Sequence, residues 1–248
     1  MSTSLTPRYL IVFLLIVLTT VFSIQVMHYD HAYLYGENQL MEHVQLLILL
    51  LVGIVFWLNS GDNKWLMVKS ASGSLSLLAY LGAALSFSFI LREMSIKQSN
   101  IDWLIFFVDG QGFKIIMALV WIPLLMKAYH YRDEYIHIIK KAFLSPTSIL
   151  LAIAASLLLA GGLFDKEIII VEYFRFYEEA LEMNGYGFML LAALSFRYDM
   201  IKAVCNSDKE IIQALQDSNE LAMVHRVGAH GRAYLEESTG KESISKPS

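Results

Sequence analysis

Residues 39–58 read QLMEHVQLLILLLVGIVFWL. From Leu46 to Leu58 the run is uninterruptedly apolar, but thirteen residues at about 1.5 Å each cover only about 20 Å. A hydrocarbon core of about 30 Å needs roughly 20 mostly apolar residues. A helix crossing here must therefore carry Gln45, His43 and Glu42 into its first turns. The same arithmetic along the chain predicts an all-α, polytopic integral membrane protein of six spans. They cover about 9–26, 39–58, 72–91, 113–126, 146–164 and 178–196.

Composition agrees. Of 248 residues, 56% are hydrophobic and 17% charged, against about 25% charged in an average soluble domain. That excludes a soluble enzyme and a disordered tail protein. A net charge of -4 gives no basis for a nucleic-acid partner. The single cysteine, Cys205, excludes an internal disulfide and a thiolate metal cage. There is no P-loop, no dinucleotide fingerprint and no nucleophile elbow. The first run is read as a retained helix and not a signal peptide, because Arg8 is its lone leading charge and Ser23-Ile24-Gln25 is no cleavage site.

Basic residues flanking spans stay in the cytoplasm. With the N-terminus inside, the cytoplasmic segments hold fourteen Lys and Arg, whereas the other face holds Arg92, Lys97, Lys166 and Arg175, with Lys114 near a boundary. Both termini are therefore expected in the cytoplasm of a plasma (bacterial inner) membrane. Residues 1–200 form the membrane domain. Residues 201–248 form a cytoplasmic tail, with a short helix predicted over 207–223 and disorder beyond Gly228. Ser145-Pro146 is a start signal for the fifth span, since serine caps and proline has no amide hydrogen to lose at N1. Between the third and fourth spans, Asp109-Gly110-Gln111-Gly112 favours a break, so 101–112 is expected to be interfacial or re-entrant, with a helix from Phe113.

Under this orientation the ionisable groups of the spans gather on the extracytoplasmic side. Glu42 and His43 open the second span, Arg92 and Glu93 close the third, and Glu178, Glu179 and Glu182 open the sixth, on one side of the helix by three- and four-residue spacing. Dipole complementarity explains one acid per helix start. It does not explain three mutually repelling ones, and ionisable groups at membrane depth point to function with a named partner, here Arg92 or Lys114. The expected site is an extracytoplasmic pocket that binds a lipid headgroup or small molecule, with modification of that ligand as an extension. Glu42, Glu178, Glu179 and Glu182 are candidates for acid and base work, and Glu93 and Arg92 for positioning. A divalent metal is the one cofactor the sequence suggests, held by His43, Glu42 and Glu182, although no HExxH supports it. Two other readings stand beside this: a structural, assembly or sensory subunit, with a membrane-protein partner or a second copy, and a small-solute or ion transporter.

Overall fold

The computed structural model describes residues 6–29, 34–35, 39–60, 71–94, 105–106, 111–133, 136, 140, 143–166, 168–169, 171–196, 198–199 and 202. The predicted tail helix over 207–223 and most of the 101–112 segment lie outside the described residues. Among those described, the protein is all-α with six long helices and no strand. They are α1 (Thr6–Tyr29), α2 (Leu40–Ser60), α3 (Ala71–Glu93), α4 (Gln111–His130) and α5 (Pro146–Asp165), followed by α6 over 174–196. The first five are long and apolar enough to cross a membrane, which makes this a multi-pass membrane protein. The chain divides into two units, Met1–Ile201 and Lys202–Ser248, and all six helices belong to the first.

Two helix starts differ from the sequence expectation. α4 begins at Gln111, so Gly112 sits inside its first turn and is buried. The first four amides of a helix have no intrahelical partner in any case, so a glycine there costs about 1 kcal/mol at most. α6 starts a full turn before Glu178. The chain enters it through Tyr173, whose φ of 60° places it in the left-handed region, and the Tyr177 amide donates to the Tyr173 carbonyl at 3.2 Å. The fifth helix starts as its sequence predicts, with Ser145 as N-cap accepting from the Ser148 amide and Pro146 in the first turn.

α6 is the hub. Phe176, Met183, Tyr186, Met189, Leu191, Ala192 and Ala193 are all buried, and its neighbours are α1, α2, α3 and α5. Glycines set the distances. A Cβ built at Gly185 would lie 2.9 Å from Leu158 Cγ of α5, and one at Gly187 would meet Leu15 of α1. Asn184 donates to Thr19 Oγ1 of α1 at 3.0 Å, Asn59 of α2 donates to the Ala193 carbonyl at 3.0 Å, and Phe56 of α2 meets Phe196 edge-on. Small residues allow this approach, and interhelical hydrogen bonds replace the water that hydrocarbon lacks.

The remaining contacts follow the same logic. α2 and α3 pack closely: a Cβ at Gly82 would reach within 2.7 Å of the Phe56 ring, and Ser76 Oγ donates to the Ser60 carbonyl at 2.9 Å. Thr20, Ser23, Ser88, Ser156 and Ser195 donate to carbonyls one turn back in their own helices, which satisfies hydroxyls that face no water. α4 leans on α3, with Trp121 Nε1 donating to Ser88 Oγ at 2.9 Å. Just past α6, buried Asp199 accepts from the Thr147 amide at 2.8 Å and from its hydroxyl at 2.6 Å. The start of α5 is thus capped twice, by its own Ser145 and by the end of α6.

Candidate functional site

The C-terminal end of α3 meets the N-terminal half of α6, and their polar side chains close on each other. Glu182 lies two turns inside α6 and Arg92 at the last turn of α3. Arg92 Nη2 donates to Glu182 Oε1 at 2.6 Å, to Glu93 Oε1 at 2.5 Å and to the Tyr186 hydroxyl at 2.9 Å. Arg92 Nε also donates to Glu93 Oε1 at 2.9 Å, and the Tyr186 hydroxyl donates to the same oxygen at 2.7 Å. The guanidinium carbon stands 5.5 Å from the centre of the Phe89 ring, and Phe89 in turn packs on Tyr186 with ring centres 5.6 Å apart. Two charges, a phenol and an aromatic face thereby hold one guanidinium plane in place.

Burial is uneven across the group. The side chains of Glu93 and Glu182 are 12% and 8% exposed, whereas that of Arg92 is 47% exposed. The carboxylates are fixed inside and the cation faces outward. Beside them, Gln45 of α2 is fully buried and donates through Nε2 to Glu179 Oε2 at 2.7 Å and to the Glu179 carbonyl at 3.0 Å. Its Oε1 is buried without a hydrogen-bond partner. Glu179 is within Coulombic reach of Glu182, Glu93 and Glu178, and Glu178 of Asp165, Arg175, Glu93 and Arg92. Four glutamates and the half-exposed Arg92 therefore share one electrostatic neighbourhood, with Arg175 and Asp165 beside Glu178.

The early start of α6 changes the meaning of these acids. A helix N-terminus favours negative charge within its first turn only. With the helix beginning at 174, Glu178, Glu179 and Glu182 lie beyond that turn, so the macrodipole does not account for them. Glu42 is the one that it does fit, being half-buried in the first turn of α2.

The structure separates some residues that the sequence grouped. Glu182 faces Arg92 of α3 while Glu179 faces Gln45 of α2, so the acids of α6 are split between two neighbours. His43 points away from the packed face of α2, which runs through Met41, Gln45, Ile48, Leu49, Val52 and Phe56. It is exposed, and its Nδ1 donates to the Gln39 carbonyl of its own helix at 2.7 Å. Helical periodicity thus keeps His43 from joining Glu182. Among the described residues no three His, Cys, Asp or Glu are placed to hold a metal ion. Lys114 is exposed on α4 and takes no part in the Arg92 network.

Tyr186, Gln45 and Phe89 are members of the site that sequence reasoning passed over. Tyr186 had a signal: it lies four residues after Glu182 and eight after Glu178, on one stripe of α6. Gln45 had one too, as the deepest polar residue of its span. A cavity of about 450 Å³ lies elsewhere, between α2, α3 and α4, lined by Leu50, Ile54, Trp57, Tyr80, Phe87 and Val120 among others. It is apolar, and none of the acids lines it. Compared with known protein families, curated proteins and solved structures, the chain matches none.

Proposed function

We propose that this is a six-pass protein of a plasma (bacterial inner) membrane with both termini in the cytoplasm, and that the Arg92 cluster at its extracytoplasmic face binds a lipid headgroup or a small molecule. The excess of basic residues in the segments assigned to the inside supports the orientation. Membrane-impermeant maleimide should then label Cys205 only after the membrane is opened, and labelling of intact cells would invert the topology.

One observation carries the binding reading. A guanidinium is held rigidly by Glu93, Glu182, Tyr186 and Phe89, yet half of its side-chain surface stays open. Ionisable groups at this depth are costly and mark functional sites by default. A pre-positioned donor loses little freedom when a ligand arrives. The test is the set of lipids and metabolites that copurify with the protein, compared between the unaltered chain, Arg92→Lys and Glu182→Gln. Enrichment of one headgroup class or metabolite that both substitutions abolish is the expected result. Identical profiles at equal protein levels would remove the binding role.

A second reading draws on a different fact: Arg92, Glu93, Glu182 and Tyr186 also satisfy one another, as a clamp between α3 and α6 would. On that reading the protein is a structural, assembly or sensory subunit, and the substitutions would lower protein level without changing any bound molecule. Transport has less support. Below the cluster α6 continues as buried Met183, Met189, Leu190, Ala192 and Ala193, and the cavity beside α3 is apolar, so no polar path leads inward among the described residues.

A further inference from the structure

Within the cluster, hydrogen-bond acceptors outnumber donors. Among the described residues, Glu93 and Glu182 each use Oε1 alone, Glu179 uses only Oε2 of its carboxylate, and the Glu178 carboxylate accepts no hydrogen bond. Gln45, fully buried, donates through Nε2 to Glu179, and its own Oε1 is left buried with no donor. A buried acceptor without a partner is costly and calls for a donor from elsewhere. On the donor side, Arg92 uses Nε and Nη2, and Nη1 has no acceptor among the described residues.

From this imbalance we propose that the ligand is a zwitterion joining a primary ammonium to a phosphate, as in an aminoethyl phosphate: the phosphate sits on Arg92 Nη1 and the ammonium on the glutamate side. The inference rests on the binding reading above and narrows it. A purely anionic group is disfavoured, because it would reach Arg92 only through the field of Glu93, Glu178, Glu179 and Glu182. A quaternary ammonium has no N–H to offer the empty acceptors. A divalent metal is disfavoured because among the described residues no three ligands converge, whereas an ammonium on a short tether needs one or two carboxylates beside the arginine. The same chemistry occurs in a phosphatidylethanolamine headgroup and in free phosphoethanolamine.

The experiment places the full chain in phosphatidylcholine nanodiscs, whose own headgroup is the N-trimethylated equivalent of ethanolamine, doped in turn with phosphatidylethanolamine or phosphatidylglycerol, and reads bound lipid by native mass spectrometry. Soluble phosphoethanolamine and phosphocholine are titrated as competitors. The expected result is about tenfold preference for the primary amine over both other headgroups, the scale of one charge-assisted hydrogen bond lost. Glu182→Gln should reduce that preference, and so should Glu178→Gln, which removes no hydrogen bond of the folded chain and so keeps the test usable if Glu182→Gln fails to fold. Displacement by soluble phosphoethanolamine at matched concentration assigns the site to a free small molecule, and resistance to displacement assigns it to the lipid. Equal retention of amine and trimethylamine lipids, lost in Arg92→Lys, would overturn the zwitterion while leaving a headgroup site. Retention of no lipid and no soluble phosphate would overturn both.

Discussion

α4 and α6 invert the rule of soluble proteins. α4 is apolar around its circumference and stands exposed, with Leu119 at 70%, Met126 at 69% and Ile122 at 56%. α6 carries four charges in its first half, yet Glu182, Met183, Tyr186 and nearly all that follows are buried. In water the apolar helix would be the core. In hydrocarbon, lipid solvates α4 as well as protein does, and a charged helix must be enclosed by other helices. Where the polar groups fall therefore decides which helix becomes central.

The sharpest way to break this contrast is at Arg92. Arg92→Met leaves Glu182 enclosed without its counter-ion and should cost about 3 kcal/mol or more, read as loss of helicity in chemical unfolding of the detergent-solubilised protein. The double variant Arg92→Met with Glu182→Gln should recover much of that loss, and simple addition of the two single effects would show that the pair is not coupled. Packing around the hub comes next. Gly185→Val drives a side chain into Leu158 and toward the Ala154 carbonyl and should cost about 1–3 kcal/mol in the same assay. Gly162, where an added Cβ meets nothing within 4 Å, should accept alanine with no loss.

Smaller effects lie at the opposite end and on the rim. Asp199→Ala removes the acceptor of the Thr147 amide and hydroxyl and should cost about 1 kcal/mol, partly offset because Ser145 still caps α5. Leu119→Ala on the exposed side of α4 should change stability by less than about 0.5 kcal/mol. A large loss there would mean that something other than lipid covers α4.

Five of the six helices were legible from apolar run length alone, because the thickness of hydrocarbon sets a minimum that Leu46 to Leu58 and its counterparts visibly approach. The same short runs drew attention to Glu42, Glu178, Glu179 and Glu182, and the shortage of cations made Arg92 a natural partner for them. What a hydropathy reading could not supply was rotation. It gave no way to see that Glu182 faces α3 while Glu179 faces α2, or that His43 sits behind its own helix, since those depend on which neighbour each helix finds. Helix starts were misplaced for a related reason. The sequence places the start of the sixth span at Glu178, where its acids begin, but α6 starts at 174 and takes in the turn before them, burying Phe176. Asp199 escaped notice because a lone acid beyond a span resembles ordinary surface until the start of another helix is found against it.

The neighbours of α6 bear on how the protein is made. Thr19, Gln45, Arg92 and Leu158, which receive its side chains, all precede it in the chain. A ribosome therefore delivers the most charged of the six helices after the other five, when the helices able to shelter those charges have already been synthesised. Biogenesis should then depend on the earlier helices: a truncation that removes α3 ought to strand residues 174–196 outside the bilayer, although the segment itself is intact.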